Sequence, residues 1–84
     1  MYLHIGNSFT VRVKDIIGIF DFDKASVEKS TKELLRKAEK EGNLINTWED
    51  FPKSFVIVND RGEIKIFVSD ISSASLLGRT EQYK

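Results

Sequence analysis

The chain has 84 residues, no cysteine and one histidine, which excludes both a disulfide framework and a histidine-rich structural zinc site. Its 13 Lys and Arg side chains balance its 13 Asp and Glu side chains, so no overall field draws it to DNA or to a membrane surface. With 40% hydrophobic and 31% charged residues, the composition is typical of an ordered domain, and the length predicts a single domain over residues 1–84.

Neither a membrane span nor a signal peptide is predicted. No apolar run approaches the roughly 20 residues that a spanning helix needs, and residues 1–6 lack the charged and apolar regions of a signal peptide. We therefore expect a cytoplasmic protein that makes no membrane contact.

The first predicted elements are strands. Residues 3–5 and 9–13 alternate between apolar and polar, and the Gly-Asn-Ser sequence between them favours a hairpin turn. Because strand side chains alternate between faces, Phe9, Val11 and Val13 are expected to face a core. Residues 16–22 then form an apolar strand, which needs cover on both faces.

A long helix follows over about residues 27–41. Either Ser26 caps it, or Ser30 and Glu33 form a capping box, and Gly42 is placed to end it. Its apolar stripe recurs at helical spacing and consists of Val27, Thr31, Leu34, Leu35 and Ala38.

The second half of the chain predicts another hairpin and a short helix. Residues 55–58 and 64–68 read as strands joined by a tight turn at residues 59–62, and residues 47–53 read as a loop. A short helix is predicted over residues 69–78, with Gly78 past its end. Its inward side chains are expected to be Ile71, Ala74 and either Leu76 or Leu77.

These elements predict an α+β fold in which antiparallel hairpins form a small sheet with one long helix and a short C-terminal helix. One long helix covers one face of a sheet, whereas the predicted strands are apolar on both faces. We therefore expect copies of the chain to associate and cover the second face.

Catalytic motifs are absent from the sequence, so we predict neither an enzyme nor a cofactor. Asp21 and Asp23 are two residues apart and would share a face of a strand, a spacing that suits a hard cation. The other interpretation, which we weight more heavily, is that they precede the positive end of the helix, where acids are favoured. No metal site is predicted.

Two groups of cations are candidates for contact with nucleic acid. The predicted helix carries a basic stripe that includes Lys32 and Arg36, although glutamates interspersed along the helix also fit an ordinary solvated face. The second group is Arg12, Lys14 and Lys53. Trp48 and Phe51 lie in the loop before a strand, where they either dock on a partner or close the edge of the core.

Four segments read together resemble the extracellular matrix regulatory protein B (RemB) family: residues 2–6, 11–19, 52–57 and 71–77. The chain is more distantly similar to the RemA branch. That resemblance implies cytoplasmic DNA-binding regulators of biofilm-matrix genes that assemble into rings of many subunits.

The resemblance also implies which positions contact DNA. RemA proteins have an arginine at the position of Asp15, and arginines in the loop where this chain has Phe51 and Pro52. Lys14 and Lys53 are the nearest remaining cations, so phosphate contact is expected to be weaker here. With Lys32, which matches a basic position early in the helix, and with Arg12 and Arg36, they form the predicted DNA-backbone surface.

The leading hypothesis is therefore a non-enzymatic regulator of matrix genes that forms a ring-like homo-oligomer and binds the DNA backbone. The alternative is an adaptor that binds a RemA-like regulator through Trp48 and Phe51 without touching DNA.

Overall fold

A computed structural model describes residues 1–81 of the chain. Within them, β1 and β2 form a two-stranded antiparallel sheet, and the other four strands form a second sheet in the order β3-β5-β6-β4. The predicted α+β class is confirmed. The elements in chain order are β1 (Tyr2–Gly6), β2 (Phe9–Arg12), a 3₁₀ turn (Val13–Asp15), β3 (Ile16–Asp21), α1 (Phe22–Ala25), α2 (Lys29–Lys40), β4 (Leu44–Asn46), β5 (Ser54–Asp60), β6 (Glu63–Ser69) and α3 (Ser73–Glu81).

The first hairpin forms as predicted, but it is a separate layer and not part of the larger sheet. Leu3 lies opposite Val11, and both are buried together with Ile5. Phe9, which we expected in the core, is 37% exposed. The centroid of its ring lies 6.2 Å from that of Phe67, on the side of the hairpin that faces the sheet, and the ring stays partly accessible because Phe9 is at the turn end of β2.

The larger sheet is mixed. β5 and β6 form the predicted hairpin, whose turn has positive φ angles at Arg61 (56°) and Gly62 (89°), and the Asn59 side chain accepts a hydrogen bond from the Gly62 N–H at 2.9 Å. β3 pairs antiparallel with β5, although α1, α2 and β4 separate the two strands in the chain, so this pair is not a hairpin. β4 was anticipated only as a short apolar segment, and it adds a parallel pair at the far edge of β6.

The face of the larger sheet that was expected to need a second subunit is covered by the chain itself. The first hairpin and α3 both pack on this face. Together with β5 they form one buried core cluster, which consists of Leu3, Ile5, Val11, Val56, Val58 and Leu76. The buried Ile5 carbonyl accepts hydrogen bonds from the hydroxyls of Thr47 and Ser69. The argument for association from an uncovered sheet face is therefore wrong.

Helices α1 and α2 cover the opposite face. Ala38 from α2 is buried in a second cluster with Phe55, Ile66 and Val68. The helix begins at Lys29 with Glu28 as its N-cap, so neither predicted cap is used. Asp21 instead caps the short helix α1 through the Lys24 N–H at 3.0 Å. This extra turn of helix displaces Val27 from the apolar stripe, and Val27 is 70% exposed.

The C-terminal helix begins later than predicted. The Ser72 hydroxyl accepts a hydrogen bond from the Ser75 N–H at 3.2 Å, which satisfies a donor of the first turn. Gly78 consequently lies inside α3 and not beyond it. Leu76 is buried, whereas Ala74 and Leu77 are exposed. No helix within residues 1–81 has both the length and the apolar character needed to cross a membrane.

Candidate functional site

Arg12 and Lys14 lie where the first hairpin leads into β3. Arg12 follows Val11 at the end of β2, and its Nε donates a hydrogen bond to Asp15 Oδ2 at 2.8 Å. That hydrogen bond and the Asp15 charge raise the pKa of Arg12. Lys14 is exposed in the 3₁₀ turn. Asp15 therefore engages one of the two cations beside it.

Lys53 has a fixed backbone and an exposed side chain. Its N–H donates to the Ser69 carbonyl at 2.8 Å, and its carbonyl accepts from the Phe22 N–H at 3.0 Å. Its ammonium lies 5.5 Å from the centroid of the Phe51 ring, within the range of a cation–π interaction. Backbone hydrogen bonds to the end of β6 and the start of α1 therefore hold Lys53 in place just before β5.

The two helical cations lie on the same side of the molecule as the loop before β5. Lys32 and Arg36 are exposed and one turn apart on α2. Arg36 lines a cavity of about 360 Å³ together with Trp48 and Pro52. The structure thus brings Arg36 close to the residue that precedes Lys53.

The five predicted cations divide into two groups, one at each end of the β3–β5 pair. Ile16 pairs with Val58 at one end, near Lys14, and Asp21 pairs with Ser54 at the other end, next to Lys53. The five residue steps between these pairs correspond to roughly 16 Å at about 3.3 Å per residue. Lys14 and Lys53 therefore do not meet within one copy of the chain.

The two aromatic residues of the loop have different environments. Trp48 is partly buried against the cluster beneath α2, and its Nε1 donates to Asn46 Oδ1 at 3.1 Å. Phe51 is 61% exposed. The structure therefore places Trp48 at the edge of the core and leaves Phe51 as the accessible member of the pair.

Asp21 and Asp23, which were considered as ligands for a metal cation, do not form a metal site together. Asp21 caps α1, as described above, and Asp23 is exposed in its first turn. Within residues 1–81, no three His, Cys, Asp or Glu side chains are grouped as a metal site would require. This arrangement fits the helix-terminus interpretation of the two residues.

A charged groove that the sequence analysis missed lies between β2 and the larger sheet. It encloses about 700 Å³ and includes Arg61 and Lys65, neither of which was singled out. Lys65 Nζ donates to Asp60 Oδ2 at 2.7 Å, which lowers the pKa of Asp60 and raises that of Lys65. The alternation of β6 places Lys65 on the same face as Phe67, toward the hairpin, and this was the signal that could have found it.

The comparisons with known proteins cover almost the whole chain. Residues 2–80 match the model of the RemA-like family, described as extracellular matrix regulatory protein A-like. The chain is also 35% identical over 81 residues to extracellular matrix regulatory protein B of Bacillus subtilis (strain 168), covering 96% of this chain and 91% of that relative. These matches confirm the resemblance found in the sequence. The chain belongs to the RemA-like family.

Proposed function

We propose that this chain is a non-enzymatic regulator of extracellular matrix genes, and that it binds the DNA backbone as a homo-oligomer in the cytoplasm. The observation that carries the proposal is the family match over residues 2–80, together with a relative whose name is that of a matrix regulator. The family match supports the regulation of matrix genes. DNA contact and assembly are further steps of the proposal, and the arrangement of charged side chains supports them.

Exposed cations support backbone contact. Lys14, Lys32, Arg36 and Lys53 are all exposed, and within residues 1–81 none of them belongs to an ion pair. Phosphates are neutralised by cations of this kind without base reading. Arg12 contributes less in our proposal because Asp15 already holds its guanidinium.

The two-group arrangement of these cations favours an assembly over a single copy. One copy offers Lys14 at one end of the β3–β5 pair and the group around Lys53 at the other. In a ring, the two groups would recur from copy to copy, so that modest contacts add along one DNA molecule.

The salt dependence of DNA binding tests this proposal. We expect Lys14→Glu and Lys53→Glu each to reduce the slope of log affinity against log salt by about one unit for each copy of the chain that contacts the duplex, and the double variant to reduce it by about twice as much. Binding to a fluorescein-labelled duplex of arbitrary sequence is measured by anisotropy at several salt concentrations.

Lys37→Glu is the matched control, because Lys37 is an exposed lysine that lies beside Ile64, away from the side of α2 that carries Arg36. It changes the net charge by the same amount and should leave the slope close to that of the unaltered chain. A double variant that retains the full slope would contradict backbone binding through these residues. Sedimentation of each variant excludes a change of assembly as the cause.

The adaptor alternative has less support. It needs Trp48 and Phe51 on one accessible surface, but Trp48 packs beneath α2 and only Phe51 of the two is largely exposed. We therefore do not advance it as a second candidate function.

A further inference from the structure

The groove between β2 and the larger sheet has the size and the apolar wall of a small-molecule site. Its volume of about 700 Å³ lies within the range of about 300–1,000 Å³ that is usual for such sites. The rings of Phe9 and Phe67 form part of its lining, with centroids 6.2 Å apart. Tyr2 also lines it and is 62% exposed. Flat aromatic surfaces of this kind are platforms on which a planar ring stacks.

The charges of the groove leave one cation available for an anion. Two of its cations are already paired, Arg12 with Asp15 at 2.8 Å and Lys65 with Asp60 at 2.7 Å. The third cation is Arg61, whose side chain makes no ion pair within residues 1–81. A guanidinium is suited to phosphate because its planar fork can donate two parallel hydrogen bonds.

The two paired carboxylates retain acceptor capacity. A carboxylate has about four lone-pair sites, and the hydrogen bonds found for Asp15 and Asp60 each use one oxygen, Oδ2. The remaining positions can accept hydrogen bonds from hydroxyl groups of a ligand. A suitable ligand therefore combines a planar ring, hydroxyl donors and one phosphate.

We propose that this groove binds a nucleoside monophosphate, with the base on the Phe9 and Phe67 side, the sugar hydroxyls toward Asp15 and Asp60, and the phosphate at Arg61. The same chemistry occurs in a free ribonucleoside monophosphate and, with the 2′-hydroxyl alone, in the 5′-terminal nucleotide of a single RNA strand. Of the five cations of the proposed duplex surface, Arg12 lines this groove and is already held by Asp15, whereas Lys14, Lys32, Arg36 and Lys53 do not line it.

Titration calorimetry of the full chain with adenosine 5′-monophosphate tests the proposal, and adenosine and inorganic phosphate are titrated separately. We expect the monophosphate to bind about tenfold or more tightly than adenosine, since one charge-assisted hydrogen bond is worth at least that factor. Arg61→Gln should remove this advantage and leave adenosine binding unchanged. Phe9→Leu should weaken both ligands.

Matched controls keep the test independent of folding and of the DNA proposal. Lys40→Gln removes a remote cation, and Phe51→Leu removes a remote exposed ring, so both should bind the monophosphate as the unaltered chain does. Circular dichroism confirms that each variant is folded. The Lys53→Glu variant should also retain monophosphate binding, so that failure of one proposal can be told from failure of the other.

A short oligoriboadenylate with a 5′-terminal phosphate identifies the source of the ligand, because its terminal nucleotide keeps a 2′-hydroxyl. Tighter binding of adenosine monophosphate supports a free nucleotide, and tighter binding of the oligonucleotide that is lost in Arg61→Gln supports a strand terminus. Equal affinity for adenosine and its monophosphate, no detectable binding of either, or an Arg61→Gln variant with unchanged monophosphate affinity would overturn the proposal.

Discussion

The contact between Gly18 and Phe20 explains a glycine in the middle of an apolar strand. A Cβ atom on Gly18 would lie 2.6 Å from Cε2 of the Phe20 ring. That ring stacks on Phe55 with centroids 5.2 Å apart. Gly18 therefore allows an edge-strand aromatic to lie flat against the sheet and to extend the core beneath α1 and α2.

We expect Gly18→Ala to reduce the free energy of unfolding by about 1 kcal/mol, because the Phe20 ring must move and lose its stacking on Phe55. Urea denaturation followed by circular dichroism measures the change. Gly78→Ala is the matched substitution: nothing lies within 4 Å of the added Cβ, and within helix α3 it should stabilise the chain by about 0.5–1 kcal/mol. Equal effects of the two substitutions would contradict this role for Gly18.

At the level of single residues, the sequence predicted inward positions wherever alternation was regular. It placed Val11 correctly and Phe9 on the same face, but alternation does not show how far the cover over that face extends, and Phe9 at the turn end of β2 is 37% exposed. The groove was missed because its lining residues come from separate elements of the chain. Asp60 and Lys65 become partners only after the tight turn brings β5 and β6 together, and Arg12 reaches the same groove from a separate hairpin.

At the level of elements, turn and termination signals were more reliable than helix starts. The Asn-Asp-Arg-Gly sequence fixed the β5–β6 hairpin, and Gly42, with φ of 76°, follows α2 as predicted. Asp21 caps the short helix α1, which occupies Phe22–Ala25, so the second helix begins only at Lys29. The cap by Asp21 and the predicted cap by Ser26 or Ser30 are close in energy. The packing of α1 therefore decides where the helix starts.

Helix α3 is expected to stabilise the fold mainly through one side chain. Leu76 is fully buried between the first hairpin and the larger sheet, so we expect Leu76→Ala to lower the free energy of unfolding by about 2–5 kcal/mol. Leu77→Ala serves as the control, because Leu77 is 48% exposed and its truncation should cost less than about 1 kcal/mol. Chemical denaturation of both variants measures the difference, and similar losses would show that α3 does not seal this core.

At the level of the whole molecule, the chain forms three layers: the first hairpin with α3, the larger sheet, and α1 with α2. Neither the separate hairpin layer nor the parallel strand β4 was predicted, because both depend on contacts between distant parts of the chain. One edge of the larger sheet also carries exposed apolar side chains. β3 ends the sheet on one side, and Ile17 is 59% exposed beside Leu77.

If the chain forms the proposed oligomer through this edge, Ile17→Lys should lower the mass measured by sedimentation toward that of one chain. A lysine on an edge strand opposes pairing with another copy, and Ile17 lies at the register shift of β3, where no partner in β5 constrains it. Val27→Lys is the control, since Val27 is also largely exposed but follows α1. An unchanged oligomer in the Ile17 variant would exclude this edge as the interface.

The hydrogen bonds at the Ile5 carbonyl bear on how the chain folds during synthesis. The hydroxyls that satisfy this carbonyl belong to residues 42 and 64 positions later, so the ribosome releases the first hairpin long before its partners exist. A lone two-stranded hairpin is marginally stable in water. The first hairpin therefore acquires its contacts with the larger sheet late, and its apolar side chains stay open to chaperones at least until residue 69 has emerged.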